Sequence, residues 1–202
     1  MLRGASISIS LLTMLVLLVS LRGYGQSPDH SQARLPSLII STRAGDVTRI
    51  DGNVWLKRRG ESSLLPLRIG KRLSSGDVVV TGTQGRAEWS LNVNSYFQVA
   101  AHSQVSIYED SSDQMHFDIF QGEVFVIVGT FDRGTVLEID TPYALLTVTK
   151  RGSYRVRVST NNDTEADVAQ GELQFVDSKG QTGKVTKREH VRFSMKKNET
   201  ID

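Results

Sequence analysis

A short phrase that occurs twice constrains the fold of this chain more than any other feature of its sequence. Gln121-Gly122-Glu123 returns as Gln170-Gly171-Glu172, 49 positions further along. In each copy a glycine, which adopts positive φ without steric cost, precedes a run of strand-forming residues. This arrangement is typical of a tight turn that feeds a strand, and similar short strands continue on both sides. The sequence therefore predicts an all-β module.

Alternation of apolar and polar residues locates further strands and their faces. Thr164 to Val168 alternates, so one face of that strand is expected to meet a core. Asp163, Glu165 and Asp167 are then its solvent face. Val124 to Val128 is apolar at every position, which predicts a central strand covered on both sides.

About ten or more such strands, separated by turns every 8 to 15 residues or so, favour three architectures. These are a wrapped β-sandwich, a β-roll or a short β-solenoid, and the pattern leaves the choice open. Val47–Ile50 and Val54–Leu56 flank Asp51-Gly52, a dipeptide favoured in type I′ turns, and predict a first hairpin. The glycines expected to turn the chain are Gly52, Gly76, Gly82, Gly122, Gly152 and Gly171.

The first 25 residues have the pattern of a signal peptide. Arg3 precedes an apolar run, Ile7 to Val19, and Gly23-Tyr24-Gly25 supplies small residues for cleavage. The run is shorter than the roughly 20 apolar residues of a membrane span, although a retained N-terminal anchor is the alternative. We expect an exported bacterial protein, periplasmic or secreted. The predicted division is residues 1–25 signal peptide, 26–43 linker, 44–195 all-β domain and 196–202 C-terminal tail.

Composition limits the partners of the exported part. The chain has no cysteine, so neither a disulfide nor a cysteine-linked lipid is available to it. Arg3 and Arg22 leave with the signal peptide, so 24 − 2 = 22 Lys+Arg remain against 22 Asp+Glu. A net charge of zero and scattered basic residues argue against nucleic acid as a partner of the exported part. A membrane is expected as a partner only if the N-terminal segment is uncleaved.

The sequence contains no motif typical of a catalytic nucleophile or of a metal site. There is no cysteine and no Gly-x-Ser-x-Gly to provide a nucleophile. The histidines His30, His102, His116 and His190 have no close metal-ligating spacing. We therefore predict a non-enzymatic protein with no cofactor and no metal.

Three aromatic residues are candidates for stacking on sugar rings: Trp55, Trp89 and Tyr96. Packing in the core is the favoured interpretation, because the neighbours of Trp89 on the same face of its strand are also apolar. The sugar-binding hypothesis requires at least two such rings exposed on one surface.

Several segments in a fixed order resemble the FecR-type extracytoplasmic domain. The first is Leu73-x-x-Gly76-Asp77-x-Val79-x-Thr81-Gly82, followed by Arg86-Ala87-Glu88-x-x-Leu91. The later segments are Gln121-Gly122-Glu123-Val124, Ile139-Asp140-Thr141-Pro142-Tyr143-Ala144, Gly152-Ser153-Tyr154-Arg155-Val156 and Val168-x-x-Gly171-x-Leu173. The resemblance covers residues 45–191.

This resemblance implies a β-rich envelope module with no defined reaction. Family members that regulate iron uptake carry a cytoplasmic anti-sigma segment, one membrane helix and this domain in the periplasm. Here only a few residues precede the apolar segment, so the chain looks like the stand-alone exported members. Many members carry their aromatic residue one position later than Tyr154, so which face of the strand Tyr154 occupies is open. The family-motif residues are Asp77, Thr81, Thr141, Pro142, Tyr154 and Arg155.

The predicted function is therefore that of an exported, non-enzymatic FecR-type domain, a protein-interaction or signalling module of the periplasm or envelope. Its partner is expected to be an envelope protein, reached for example through an exposed strand edge. The alternative is a module that binds polysaccharide or peptidoglycan, with cell-wall polysaccharide as the partner.

Overall fold

The computed structural model describes residues 45–110, 114–130, 134–195 and 199–201, so the predicted signal peptide and linker lie outside the described residues. These residues form strands joined by turns and contain no helix that could cross a membrane. The strands are β1 (Val47–Asp51), β2 (Val54–Lys57), β3 (Leu64–Pro66), β4 (Val78–Thr81), β5 (Arg86–Asn92), β6 (Ser95–Val99), β7 (Gln104–Asp110), β8 (Gln114–Val128), β9 (Val136–Thr141), β10 (Ala144–Val148), β11 (Gly152–Val158), β12 (Thr164–Gln170), β13 (Glu172–Asp177), β14 (Thr182–Thr186), β15 (Glu189–Phe193) and β16 (Glu199–Ile201).

The long strand β8, of 15 residues, belongs to two sheets. Its N-terminal half pairs with β7 and β9, and its C-terminal half pairs with β6 and β11. The first sheet has the order β3-β2-β4-β7-β8-β9-β10-β13-β14, and the second has the order β1-β5-β6-β8-β11-β12-β15-β16. Neighbouring strands are antiparallel except for β8 and β9, which are parallel.

Aromatic side chains join the inner faces of the two sheets into one core. The ring of Trp89 stacks on Phe97 at 4.8 Å between centroids, and Phe97 meets Phe117 at 4.3 Å. Trp89 and Phe97 belong to the second sheet, whereas Phe117 lies in the half of β8 that belongs to the first. Phe175 and Phe193 make a similar contact between β13 and β15, at 4.9 Å. The all-β prediction is confirmed, and of the three architectures the chain adopts the wrapped sandwich.

The predicted first hairpin is wrong. The turn at Asp51-Gly52 is present, with Gly52 at φ +64°, but β1 pairs with β5 and β2 pairs with β3 and β4. The turn therefore carries the chain from the second sheet to the first instead of pairing its two flanks. A dipeptide determines the local backbone of a turn, but the partner of each strand depends on distant residues.

The prediction that Val124 to Val128 is covered on both sides is also wrong. Val124, Val126 and Val128 are buried, whereas Phe125 and Ile127 are each 37% exposed. An unbroken apolar run carries no alternation, so the sequence could not distinguish the inner from the outer face.

The buried positions of β8 change phase along the strand. In its N-terminal half the odd-numbered residues Met115, Phe117 and Ile119 are buried, but from Val124 onward the even-numbered residues are. The change occurs around Gly122, where the strand passes from one sheet to the other.

The predicted alternation of β12 is confirmed, since its apolar face is buried and its acidic residues face outward.

Candidate functional site

The two copies of the repeated phrase form corners at which the chain passes between the sheets. Gly122 has φ +101° and Gly171 has φ +106°, a region that glycine occupies far more readily than other residues. The remaining predicted turn glycines lie at strand ends: Gly52 between β1 and β2, Gly76 shortly before β4, Gly82 after β4, and Gly152 at the start of β11.

Ser103 supports the Gly122 corner from beneath. Its Oγ accepts a hydrogen bond from the backbone N–H of Glu123 at 3.0 Å. Thr81 Oγ1 in turn accepts the N–H of Ser103 at 2.9 Å and donates to the carbonyl of Ala100 at 2.6 Å. The motif residue Thr81 thus holds the loop on which the corner rests.

Tyr154 supports the Gly171 corner. Its hydroxyl accepts the backbone N–H of Glu172 at 3.2 Å and donates to the carbonyl of Lys150 at 2.5 Å. Burial raises the pKa of Tyr154, so the hydroxyl stays protonated and continues to donate. The side chain of Tyr154 is buried, which places it on the inner face of its strand.

Asp77 is a buried carboxylate with a structural role. Its Oδ2 accepts hydrogen bonds from Arg58 Nη1 at 2.5 Å and from the backbone N–H of Ser74 at 2.9 Å. A buried charge requires such partners, because an unpaired one is costly to desolvate. Asp77 therefore closes the turn that leads into β4.

Thr141 and Pro142 form the turn between β9 and β10. Thr141 Oγ1 donates to the carbonyl of Ala144 at 2.7 Å and accepts its N–H at 3.1 Å. Pro142 is exposed in the two-residue loop. Of the family-motif residues, Arg155 is the one on the outer face of a sheet.

Arg155 is part of a charge ladder that crosses the outer face of the second sheet. Its Nε and Nη2 donate to the two carboxylate oxygens of Glu123, at 3.0 Å each, and its Nη1 donates to Asp167 at 3.2 Å. Asp167 also contacts His190 Nδ1 at 2.8 Å. Hydrogen bonding to Glu123 raises the pKa of Arg155, which stays charged. The guanidinium of Arg155 lies between the carboxylates of Glu123 and Asp167 and pairs with both.

Beside this ladder the outer face of the second sheet carries apolar residues and a cavity. Phe125 and Ile127 are half-exposed, and Tyr96 is the cross-strand neighbour of Ile127. The cavity, of about 350 Å³, lies next to Phe125 and is lined by residues of β1, β5, β6 and β8. Arg86, on its rim, has no carboxylate within 4.0 Å among the described residues. We call Phe125, Ile127, Tyr96, Arg86 and this cavity the docking face.

The three aromatic candidates for sugar stacking do not form one platform. Trp89 is 1% exposed and belongs to the core, so it cannot stack on a sugar. Trp55 is half-buried on β2 in the first sheet, whereas Tyr96 is half-buried on β6 in the second. The core interpretation is therefore correct for Trp89.

The outer face of the first sheet brings together residues that sequence reasoning did not connect. His116 and Asp118 on β8 are the cross-strand partners of Glu138 and Asp140 on β9. We call these four residues the quartet. Burial raises the pKa of Asp118, and the charge of Asp140 adds to the shift. The two i, i+2 pairs are visible in the sequence, but the parallel pairing of their strands is not.

The described residues thus define a two-sheet β-sandwich whose motif residues build corners and turns. Residues 77–174 match the family model described as FecR protein, which agrees with the resemblance found in the sequence. The match supports a signalling or regulatory module.

Comparison with solved structures gives a likeness of fold. Two crystal structures of a proposed anti-sigma factor from Parabacteroides distasonis align with a TM-score of 0.52 and 17% sequence identity. The alignment covers 61% of this chain and 57% of theirs, so it spans just over half of those proteins. A comparison with curated proteins found no match.

Proposed function

We propose that this chain is an exported, non-enzymatic FecR-type module that binds a protein partner in the bacterial periplasm or envelope and serves signalling. The observation that carries the proposal is the docking face. Phe125 and Ile127 lie in the middle of the second sheet, between β6 and β11, and are each 37% exposed. Large apolar side chains at such a central position favour burial against a partner.

The residue types of the docking face are those of protein interfaces. Aromatic residues and arginine are enriched where partners bury a pocket, and a polar rim commonly surrounds them. Phe125 and Tyr96 supply the aromatic surface, and the charge ladder supplies the rim. Because Arg155 already pairs with Glu123 and Asp167, Arg86 is the cation that an incoming carboxylate can pair with.

The partner that fits this face is a protein segment with two features. An apolar side chain would fill the cavity beside Phe125, and a nearby carboxylate would pair with Arg86. The polysaccharide alternative has no comparable support, since Trp55 and Tyr96 lie on different sheets and Trp89 is buried.

A crosslinking pull-down from an envelope extract, run beside binding to purified cell wall, tests the proposal. The variants Phe125→Ser and Arg86→Glu should each lose most of the protein captured by the unaltered chain. Phe120→Ser is the matched control, because Phe120 is 47% exposed on the first sheet. The proposal would be contradicted if all three variants captured the protein equally well. It would also be contradicted if the chain bound purified cell wall and captured no protein.

Export is tested separately. We expect the chain expressed in a bacterium to appear in the periplasm or medium, with an N-terminus at Gln26 after cleavage behind Gly25. A membrane-bound product that begins at Met1 would instead support the retained anchor.

A further inference from the structure

The quartet occupies the corners of a square on the outer face of the first sheet. His116 and Asp118 are two residues apart on β8, and Glu138 and Asp140 are two residues apart on β9. Residues two apart point to the same face of a strand. The parallel register sets His116 opposite Glu138 and Asp118 opposite Asp140. Four side chains with metal-ligating atoms therefore converge on one patch.

The ligating atoms of three of these residues are close enough to share one ion. His116, Asp118 and Asp140 each offer an atom such that all three lie within 4.8 Å of one another. Ligands at about 2.0 to 2.2 Å from a tetrahedral metal are roughly 3.3 to 3.6 Å apart. The three ligating atoms would therefore move together by roughly 1 Å, through rotation of side chains that are exposed or half-buried.

The surroundings of the imidazole match those of a metal-binding histidine. His116 Nε2 lies 3.4 Å from Asp118 Oδ1, and its other nitrogen, Nδ1, lies 3.5 Å from Glu138 Oε2. A carboxylate behind one ring nitrogen holds its proton and leaves the opposite nitrogen free to ligate. The ring of Tyr108 packs against the imidazole at 5.2 Å between centroids, and the backbone N–H of Thr141 orients Asp140 at 2.9 Å.

The carboxylates of the quartet differ from those of the charge ladder in the second sheet, which share the guanidinium of Arg155. Three carboxylates surround one imidazole, and no lysine or arginine in the described part of the chain forms an ion pair with them. Asp118 directly opposes Asp140, and like charges at opposed positions destabilise a strand pair. In the ladder, Arg155 lies between Glu123 and Asp167 and removes this repulsion.

We propose that the quartet binds a divalent transition-metal ion. His116, Asp118 and Asp140 are its ligands, and Glu138 is a positioning residue that orients the imidazole. A donor set of one imidazole and two carboxylates suits an ion such as Zn²⁺ better than Ca²⁺ or Mg²⁺, which prefer oxygen ligands alone. Three protein ligands leave at least one position open to exchangeable water. This site is independent of the docking face.

Titration calorimetry of the full chain with Zn²⁺, after treatment with a chelator, tests the site. We expect one equivalent of Zn²⁺ to bind and to shift the ring resonances of His116 in NMR spectra. His116→Gln and Asp118→Asn should abolish binding at this stoichiometry. Glu138→Gln should weaken it by about 10- to 100-fold and alter the tautomer signal of His116, a change that a purely structural role would not produce.

His190→Gln is the matched control, because His190 also contacts an aspartate, but that aspartate is already paired with Arg155. That variant should bind Zn²⁺ as the unaltered chain does, and all variants should keep the circular dichroism spectrum of the metal-free protein. Zn²⁺ binding that survives His116→Gln, or Ca²⁺ binding of equal affinity, would overturn the proposal. So would an absence of saturable Zn²⁺ binding to the unaltered chain.

Discussion

The chain passes from the first sheet to the second at Gly122 and from the second to the first at Gly171, and the two corners share a geometry but not their support. In both, a glycine with positive φ precedes a glutamate whose backbone N–H donates to a hydroxyl beneath the corner. Ser103 provides that hydroxyl at the first corner and Tyr154 at the second. The repeated phrase therefore encodes the bend, whereas the group that stabilises it comes from another part of the fold.

The glutamates of the two corners also differ in their partners. Glu123 accepts two hydrogen bonds from one guanidinium, that of Arg155. Glu172 pairs with Lys150 at 2.7 Å and with Lys184 at 3.3 Å. A bidentate arginine has a defined geometry, whereas two flexible lysines supply charge with less constraint. Identical phrases thus acquire different electrostatic environments.

The largest effect is expected from Gly122→Val. A Cβ at Gly122 would lie 2.1 Å from Ser103 Oγ and 2.4 Å from the backbone Cα of Ser103, which cannot move aside. We expect a loss of more than about 4 kcal/mol in the free energy of unfolding, measured by urea denaturation, or a chain that does not fold.

Gly60→Val separates steric contact from backbone strain in this test. Gly60 also has positive φ, but a Cβ there would have no neighbour within 4 Å. We expect this control to cost only about 1 to 2 kcal/mol. Equal losses for the two variants would show that the close approach at the Gly122 corner is unimportant.

Deleting each supporting hydroxyl shows how much it contributes to the free energy of unfolding. Tyr154→Phe removes the acceptor of the Glu172 N–H and the donor to the Lys150 carbonyl, so we expect a loss of about 2 kcal/mol. Ser103→Ala removes the acceptor of the Glu123 N–H and should cost about 1 kcal/mol. Chemical denaturation of both variants checks the order, and a larger loss for Ser103→Ala would reverse it.

A double-mutant cycle tests whether a side-chain atom or the backbone leaves no room for a Cβ at each corner. The nearest atom to a Cβ at Gly171 would be Tyr154 Oη, which Tyr154→Phe removes, whereas Tyr154 Cζ at 2.7 Å and the backbone oxygen of Arg151 at 2.8 Å remain. Gly171→Ala should therefore cost about 1 kcal/mol less in the Tyr154→Phe background than alone. The Ser103 backbone stays in place at the first corner, so Ser103→Ala should give Gly122→Ala little relief. Equal coupling energies at the two corners would contradict this distinction.

The smallest effect concerns pH. Hydrogen bonds from Lys150 and then Lys184 hold the pKa of Glu172 below its usual value. Because the folded-state pKa is lowered, the ion pairs stabilise the protein above the pKa of the unfolded chain, and this contribution is lost as pH falls through the folded value. The stability difference between the unaltered chain and Glu172→Gln should shrink below about pH 4.5. A difference that is constant from pH 7 to pH 3 would contradict the role of the lysines.

Predictions from the sequence succeeded where a short segment determines its own conformation. The alternation in residues 164–168 predicted the buried face of β12, and the glycines of the two phrases predicted turns with positive φ. The docking face was not predictable, because the apolar run that contains Phe125 has no alternation to show which residues face outward. The quartet was missed for a related reason, since its two pairs of ligands lie on strands whose parallel register is a long-range property.

By itself the sequence determined the β class, the positions of the corners and the family resemblance, because turn glycines and period-two alternation act through neighbouring residues. Only the tertiary structure decided which strands pair, which hydroxyl supports each corner and which charges meet across the sheets. In that structure β1 and β2 belong to different sheets, and Asp118 lies opposite Asp140. The physical reason is that a turn requires a particular φ of one residue, whereas register and partner choice depend on the packing of the whole core.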